Sequence, residues 1–310
     1  MSVRLFCLPP LLGYAAVAAA HDVEEAAAAG GWQSDPWVAW PLAVSAALYV
    51  LGLARLWGSA GPGKGLGVGQ ALGFGAGWTV LAVALLSPLE TLGAHSFAAH
   101  MVQHELVMIV AAPLLVMSRP LAAWAWAFPH RLRRAFGRCI RYRLAAACWK
   151  ALRVPAGAWV LHAAVLWAWH APALFDAALR DNGIHILQHL SFLFAALLFW
   201  WSVLGRDARI APGVPVLSLL TTLIHTGILG ALMSFAPTVW YPAYAERTPG
   251  IGLDPVADQQ LGGLLMWVPA GSVYLLAALW LAWRWLAADG TAFGSAASVE
   301  DQSAATPSKQ

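Results

Sequence analysis

Two histidine pairs with identical spacing are the residues best suited to do chemistry in this sequence. His100 and His104 flank Met-Val-Gln, and His185 and His189 flank Ile-Leu-Gln, so both pairs read H-x-x-Q-H. Residues four apart lie one turn apart on the same face of an α-helix, so each pair presents two imidazoles in one direction. Because imidazole binds zinc, copper, iron and nickel, two such helices facing each other predict a transition-metal site.

A few further residues extend this candidate site. His170 ends an apolar segment at the same predicted membrane level as the two pairs, and Asp258 begins another. Met233 and Met266 are secondary candidates, because thioether sulfur suits Cu(I), although methionine more often only packs. His162 and His225 fall deeper in their segments and are interpreted as a path or a second site.

The sequence contains neither the motif of a zinc protease nor that of a nucleotide-binding P-loop. His104-Glu105 is followed by Leu-Val-Met, so neither H-E-x-x-H nor H-x-x-E-H is present, and the Gly-rich stretch 61–69 lacks the G-K-[ST] ending of a P-loop. The three cysteines form no C-x-x-C pair. Ligands must therefore come from His, Met and carboxylates.

The elements that position these residues are predicted to be membrane helices. Only 11% of the residues are charged, against about a quarter in soluble domains. A soluble fold of this size cannot hide so much apolar surface, whereas a bilayer acts as its solvent. The predicted fold class is therefore all-α, a polytopic bundle of transmembrane helices.

Hydropathy and turn residues divide the chain into a signal peptide, a tail and seven spans. Arg4, a short apolar core and Ala18-Ala19-Ala20 predict a signal peptide over 1–20, with a retained first helix as the alternative. A tail over 21–36, which begins with His21, precedes a membrane domain over 37–287, and 288–310 is expected to be disordered. The predicted spans are 37–57, 69–87, 98–117, 155–170, 184–204, 215–235 and 260–285.

The distribution of basic residues predicts the orientation. The loop between the third and fourth spans is rich in Arg and Lys, whereas the loops at the opposite ends carry mostly Asp and Glu. Such a loop marks the cytoplasmic side, so the histidines face outward and the C-terminus lies inside. The same bias accounts for the basic residues of this loop, so nucleic-acid binding is not needed to explain them. Segment 129–153 of the loop is expected to lie as an amphipathic helix on anionic lipid.

Several motifs in chain order resemble the CtaG-type cytochrome c oxidase assembly factors. They are His100-Met-Val-Gln-His104 with Ala111-Ala-Pro-Leu-Leu115 and Arg119-Pro120, Trp169-His170-Ala-Pro-Ala-Leu-Phe-Asp176, His185-Ile-Leu-Gln-His189 with Phe199-Trp200-Trp201, and Asp258-Gln-Gln-Leu-Gly-Gly263 with Met266-Trp-Val-Pro269. The resemblance covers roughly spans three to seven. Glu105 departs from the apolar residue expected at its position.

The resemblance implies a bacterial inner-membrane protein with about seven spans that assists maturation of a haem–copper oxidase by supplying copper. It implies no enzymatic turnover. The expected partners are cytochrome c oxidase subunits, periplasmic copper carriers and membrane lipid. His100, His104, His170, His185 and His189 fall on the family-type motifs and are carried over as candidate copper ligands.

Three other functions remain open at this stage. Histidines on facing helices ligate haem in membrane electron-transfer subunits. Di-iron hydroxylases also use H-x-x-x-H boxes, although theirs usually include H-x-x-H-H and face the cytoplasm. A transporter moves metal or protons past intramembrane histidines.

Overall fold

The computed structural model describes residues 36–139, 154–205 and 211–304, with side chains described except in 135–139 and 288–304. The predicted signal peptide (1–20), nearly all of the predicted tail (21–36) with His21, and residues 140–153 of the basic loop lie outside the described residues. The same holds for 305–310.

Within the described residues every regular element is helical. In chain order the helices are α1 (Pro36–Ala60), α2 (Val68–Leu86), α3 (Pro88–Gly93), α4 (Phe97–Met117), α5 (Pro120–Ala127), α6 (His130–Cys139), α7 (Pro155–Trp169), α8 (Pro172–Arg180), α9 (Asn182–Leu204), α10 (Gly213–Ser234), α11 (Pro242–Arg247) and α12 (Pro255–Ala304), with a 3₁₀ turn at Thr248–Ile251. The all-α polytopic fold is therefore confirmed.

Six described helices are long and apolar enough to cross a bilayer, namely α1, α2, α4, α9, α10 and the part of α12 up to Ala287. The predicted fourth span differs from these. Its helix α7 has 15 residues, or about 22 Å at ~1.5 Å per residue, which is short of a hydrocarbon core of about 30 Å. The chain then bends by 72° into α8, where Pro172 follows the end of α7. The spans number seven if this bent pair counts as one.

Close backbone contact holds α10 against α12. A Cβ added to Gly263 would lie 2.6 Å from the Gly230 carbonyl oxygen and 2.7 Å from the Ser234 amide nitrogen. Only residues without a side chain permit this approach, which small residues commonly provide between membrane helices. One residue earlier, Gly262 similarly faces the ring of Phe97, so α12 also fixes the start of α4.

Helix α4 changes its winding in the middle. Leu106–Ala111 form a π-helical segment between two α-helical ones. Pro113 lacks an amide proton and crowds the carbonyl four residues earlier, and a widened turn relieves this crowding. The extra residue in the turn rotates the second half of α4 relative to the face that carries His100 and His104.

The last helix extends beyond residue 288, where the sequence predicts that a disordered tail begins. Its apolar part ends at Ala287, and the helix continues to Ala304. The segment 288–304 is rich in alanine, the residue with the highest helix propensity, and it extends a helix that is already formed.

Candidate metal centre

Five histidines from three helices converge at one end of the bundle. They are His100 and His104 near the start of α4, His170 at the end of α7, and His185 and His189 near the start of α9. We call these five residues the histidine cluster. One ligand nitrogen from each of His100, His185 and His189 lies within 4.8 Å of the other two.

Of the remaining two rings, that of His104 adjoins this triangle and that of His170 lies next to His104. The ring centre of His104 lies 4.3 Å from that of His100, 5.3 Å from that of His189 and 6.3 Å from that of His170. His185 is the most accessible member, with 16% of its side chain exposed, whereas the other four are buried. The sequence-based expectation that these imidazoles approach one another therefore agrees with the geometry.

The cluster has more nitrogen donors than hydrogen-bond partners. The Nε2 atoms of His100, His170, His185 and His189, and both ring nitrogens of His104, are buried without a partner. Buried polar atoms are nearly always hydrogen-bonded, so this concentration of unpaired nitrogens needs an explanation. A bound cation would be held by the lone pairs of several of them, one from each ring, since a neutral imidazole has a free lone pair on only one nitrogen.

The orientation of His170 shows which nitrogen is available. Its Nδ1 lies 2.7 Å from the backbone oxygen of Leu166. A carbonyl oxygen only accepts, so Nδ1 carries the ring proton and Nε2 has a free lone pair. A histidine that binds metal through one nitrogen typically donates its other N–H in this way.

Glu90, on the short helix α3, orients His185. Its Oε1 lies 3.2 Å from Nδ1 of His185, while its Oε2 accepts a hydrogen bond from Nε2 of Gln103. Gln103 also donates to the backbone oxygen of Ala84 at 2.7 Å. The glutamine thus connects the two H-x-x-Q-H helices through a carboxylate, and Nε2 of His185 is left facing the cluster.

Glu90 is the residue that sequence reasoning missed, since it counted only among the acidic residues of an outer loop. Its contact with His185 spans 95 positions of the chain, from 90 to 185. The available signal was local: Ser87-Pro88 predicts a helix start, which places Glu90 in a short ordered turn next to α4.

Each H-x-x-Q-H helix begins with a capping residue four positions before its first histidine. The Ser96 hydroxyl accepts from the Ala99 amide at 3.2 Å, and the Asp181 carboxylate accepts from the Ile184 amide at 2.8 Å. The first helical turn after each cap carries the first imidazole. These caps satisfy amide groups that are otherwise left free at a helix start and fix where His100 and His185 begin.

Asp258 strengthens the first of these caps. Its two oxygens accept from the Ser96 hydroxyl at 2.7 Å and from the amides of Phe97 and Ala98 at 2.6 and 3.4 Å. A carboxylate at a helix N-terminus is also favoured by the helix dipole. Asp258 was a predicted ligand, but here its oxygens are directed at the backbone of α4.

The segment around α11 covers the same end of the bundle. The Tyr241 hydroxyl lies 3.0 Å from the backbone oxygen of His170 and 3.6 Å from Sδ of Met233. The Tyr244 hydroxyl donates to the Gly93 oxygen at 2.6 Å. Burial and the nearby Asp258 charge raise the pKa of Tyr244 well above its usual value, so this hydroxyl keeps its proton and remains a donor.

The structure does not bring all predicted ligands together. Met233 is fully buried, and the Tyr241 hydroxyl lies between its sulfur and the backbone oxygen of His170. Met266 packs in the hydrophobic core, and no described contact joins it to a histidine. His95 bonds through Nδ1 to the Thr91 oxygen at 3.0 Å, and no described ring contact joins it to the cluster.

The donor set fits a transition-metal ion. Metal–imidazole bonds are about 2 Å long, so three nitrogens within 4.8 Å of one another need only small side-chain shifts to share an ion. The cluster combines neutral imidazoles with one adjacent carboxylate, a set that suits copper, zinc, iron or nickel.

Comparison with protein families gives one match to the larger part of the chain. The model of the cytochrome c oxidase caa3 assembly factors, Caa3_CtaG, matches residues 47–288. That stretch includes the whole histidine cluster, Glu90 and Asp258. Neither the comparison with curated proteins nor that with solved structures gave a match. The chain belongs to the family of cytochrome c oxidase caa3 assembly factors.

Proposed function

We propose that the histidine cluster binds copper and that the protein supplies this copper to a cytochrome c oxidase during its assembly. The observation that carries the proposal is the convergence of five imidazoles with unpaired nitrogens in a chain of an oxidase assembly family. Imidazole nitrogen serves copper well. The protein acts as a metal-binding assembly factor rather than as an enzyme.

Charge balance favours Cu(I) over a divalent ion. Burying net charge in a low-dielectric region is costly. Among the described contacts of the cluster, the carboxylate closest to an imidazole is Glu90, at 3.2 Å from His185. One carboxylate and one Cu(I) ion form a neutral unit, whereas Zn²⁺ or Cu²⁺ leaves an uncompensated positive charge.

The number of imidazoles in the cluster suits a protein that binds copper and then passes it on. A tetrahedral site uses four ligands, and the cluster offers five imidazoles. An ion held by some of them passes to a competing ligand by stepwise exchange, without a bare intermediate. His185 and Glu90, whose side chains are 16% and 22% exposed, form the accessible edge where copper enters and leaves.

We place this edge on the periplasmic side, on the strength of the positive-inside bias described above. Copper then arrives from periplasmic carriers, and the oxidase subunits receive it at the same surface of the bacterial inner membrane. The C-terminal end of α12 lies in the cytoplasm in this orientation.

Packing around the cluster argues against haem between these rings. Phe175 lies 5.0 Å from His100 and Phe192 lies 4.5 Å from His104, measured between ring centres, and both phenylalanines are fully buried. A porphyrin requires a wide slot between its axial ligands, and these aromatic rings fill that space.

Metal analysis of the purified full-length protein tests the proposal. The wild type is expected to bind copper, and the variant His100→Gln/His189→Gln is expected to bind one equivalent less, while His95→Gln, which changes a histidine outside the cluster, binds as much as the wild type. An optical spectrum of the same samples distinguishes haem. Copper content that is equal in all three proteins overturns the assignment of these ligands.

A further inference from the structure

A second pair of histidines lies deeper in the bundle, between α7 and α10. The ring centres of His162 and His225 are 6.2 Å apart. His162 is fully buried, and neither of its ring nitrogens has a hydrogen-bond partner. Nε2 of His225 and Nε1 of the adjacent Trp159 are likewise buried without partners. We call His162 and His225 the deep pair.

An apolar layer separates the deep pair from the histidine cluster. Along one face of α9, Phe192, Ala196 and Phe199 follow His189 at helical spacing, and all three are fully buried. Phe192 contacts His104 in the cluster, and Phe199 contacts His162 at 4.8 Å between ring centres. Along α7, His162 lies about 12 Å from His170 at ~1.5 Å per residue. The deep pair is therefore a separate feature.

The spacing of the two rings allows one ion in linear coordination when one nitrogen of each ring is directed at it. Two metal–nitrogen bonds of about 2 Å each, plus about 1.1 Å from each ring centre to its nitrogen, give about 6.2 Å between ring centres. The observed distance is 6.2 Å. The indole N–H of Trp167 donates to Nδ1 of His225 at 3.4 Å, which leaves the ring proton on Nε2. Binding an ion through Nε2 therefore requires this proton to move to Nδ1, at the loss of a hydrogen bond that is longer than the usual range.

The surroundings favour a monovalent ion. Both ligands are neutral imidazoles, and the described ring contacts of the pair are aromatic: Trp159 against His225, and Phe199 against His162. A single positive charge in such a setting costs far less than a double one. Two-coordinate binding by neutral nitrogens is an arrangement that Cu(I) accepts and that zinc, which prefers four ligands, does not.

We propose that His162 and His225 form a second copper site, a two-coordinate Cu(I) site within the membrane that is distinct from the histidine cluster. This site goes beyond the proposed function, since neither delivery to the oxidase nor binding at the cluster requires it. It gives the protein a second bound copper ion, held about two helical turns below the first.

Cu(I) titration against the competitor bicinchoninate tests the second site in the full-length protein. The deep-pair variant His162→Phe/His225→Phe is expected to bind one equivalent fewer than the wild type. A cluster variant with all five histidines changed to glutamine is expected to retain one equivalent. His95→Gln serves as the matched control and binds as the wild type does. Thermal unfolding of each variant shows whether it is folded.

Unchanged stoichiometry in a folded deep-pair variant overturns the second site and leaves the histidine cluster unaffected. Unchanged stoichiometry in a folded cluster variant rejects the proposed function and leaves the second site unaffected. If the deep-pair variant does not fold, X-ray absorption of the Cu(I)-loaded cluster variant decides. Two nitrogen neighbours at about 2 Å support the deep pair, and a larger number or no bound copper rejects it.

Discussion

Replacing Glu90 by glutamine tests the role of the carboxylate next to the cluster. Its oxygen lies 3.2 Å from Nδ1 of His185. The opposite ring nitrogen is about 2 Å further away and a metal–nitrogen bond adds about 2 Å, so the carboxylate charge lies about 7 Å from a bound ion. At an effective dielectric constant of about 20, opposite unit charges at about 7 Å attract by about 2.4 kcal/mol.

This energy corresponds to a loss of about 50-fold in Cu(I) affinity, within the range of about 10- to 100-fold found when residues that orient metal ligands are replaced. Glu90→Gln keeps the shape of the side chain and removes the charge. Competition with bicinchoninate measures the change.

The matched control is Glu246→Gln, an exposed acidic residue on α11, which is expected to change affinity less than about twofold because solvent screens its charge. Equal affinities for Glu90→Gln and the wild type would refute the reasoning about charge balance. A loss of similar size in both variants would show a nonspecific effect of the acidic surface.

Three further substitutions test the framework that positions the site. Gly263→Ala is expected to lower the free energy of unfolding by about 1 to 3 kcal/mol through overpacking against α10. Gly75→Ala is the control and is expected not to lower it, because the added carbon meets nothing within 4 Å. Thermal unfolding in detergent compares the two variants. Asp258→Ala removes the carboxylate that supports the Ser96 cap of α4 and is expected to cost about 1 to 2 kcal/mol and to weaken Cu(I) binding. Unchanged binding would show that this carboxylate does not position His100. Tyr244→Phe removes one buried hydrogen bond and is expected to cost about 1 kcal/mol with copper stoichiometry unchanged, as unfolding and metal analysis together reveal.

Much of the architecture follows from sequence periodicity. Long apolar segments predicted the spanning helices, and spacing of four predicted that each H-x-x-Q-H pair shares a helix face. Their common level in the membrane made a meeting of the two pairs possible, and the packing of α4 against α9 brings them together.

Other features depend on contacts that local sequence does not encode. The pairing of Glu90 with His185 and the attachment of Asp258 to α4 join residues far apart in the chain, so only the packed helices reveal them. The 72° bend after α7 results from the way Pro172 redirects the chain. The helix beyond Ala287 continues because alanine-rich sequence follows a helix that the membrane has already stabilised.

X-ray absorption of the copper-loaded protein addresses most directly whether imidazoles from α4 and α9 share one ion. Cu(I) in a variant that lacks the deep pair is expected to show at least three imidazole nitrogens at about 2 Å, and this number is expected to fall when His100 on α4 or His189 on α9 is replaced by glutamine. Replacing His95 is expected to leave the spectrum unchanged. A copper environment that responds to only one of the two helices, or to neither, contradicts the shared site.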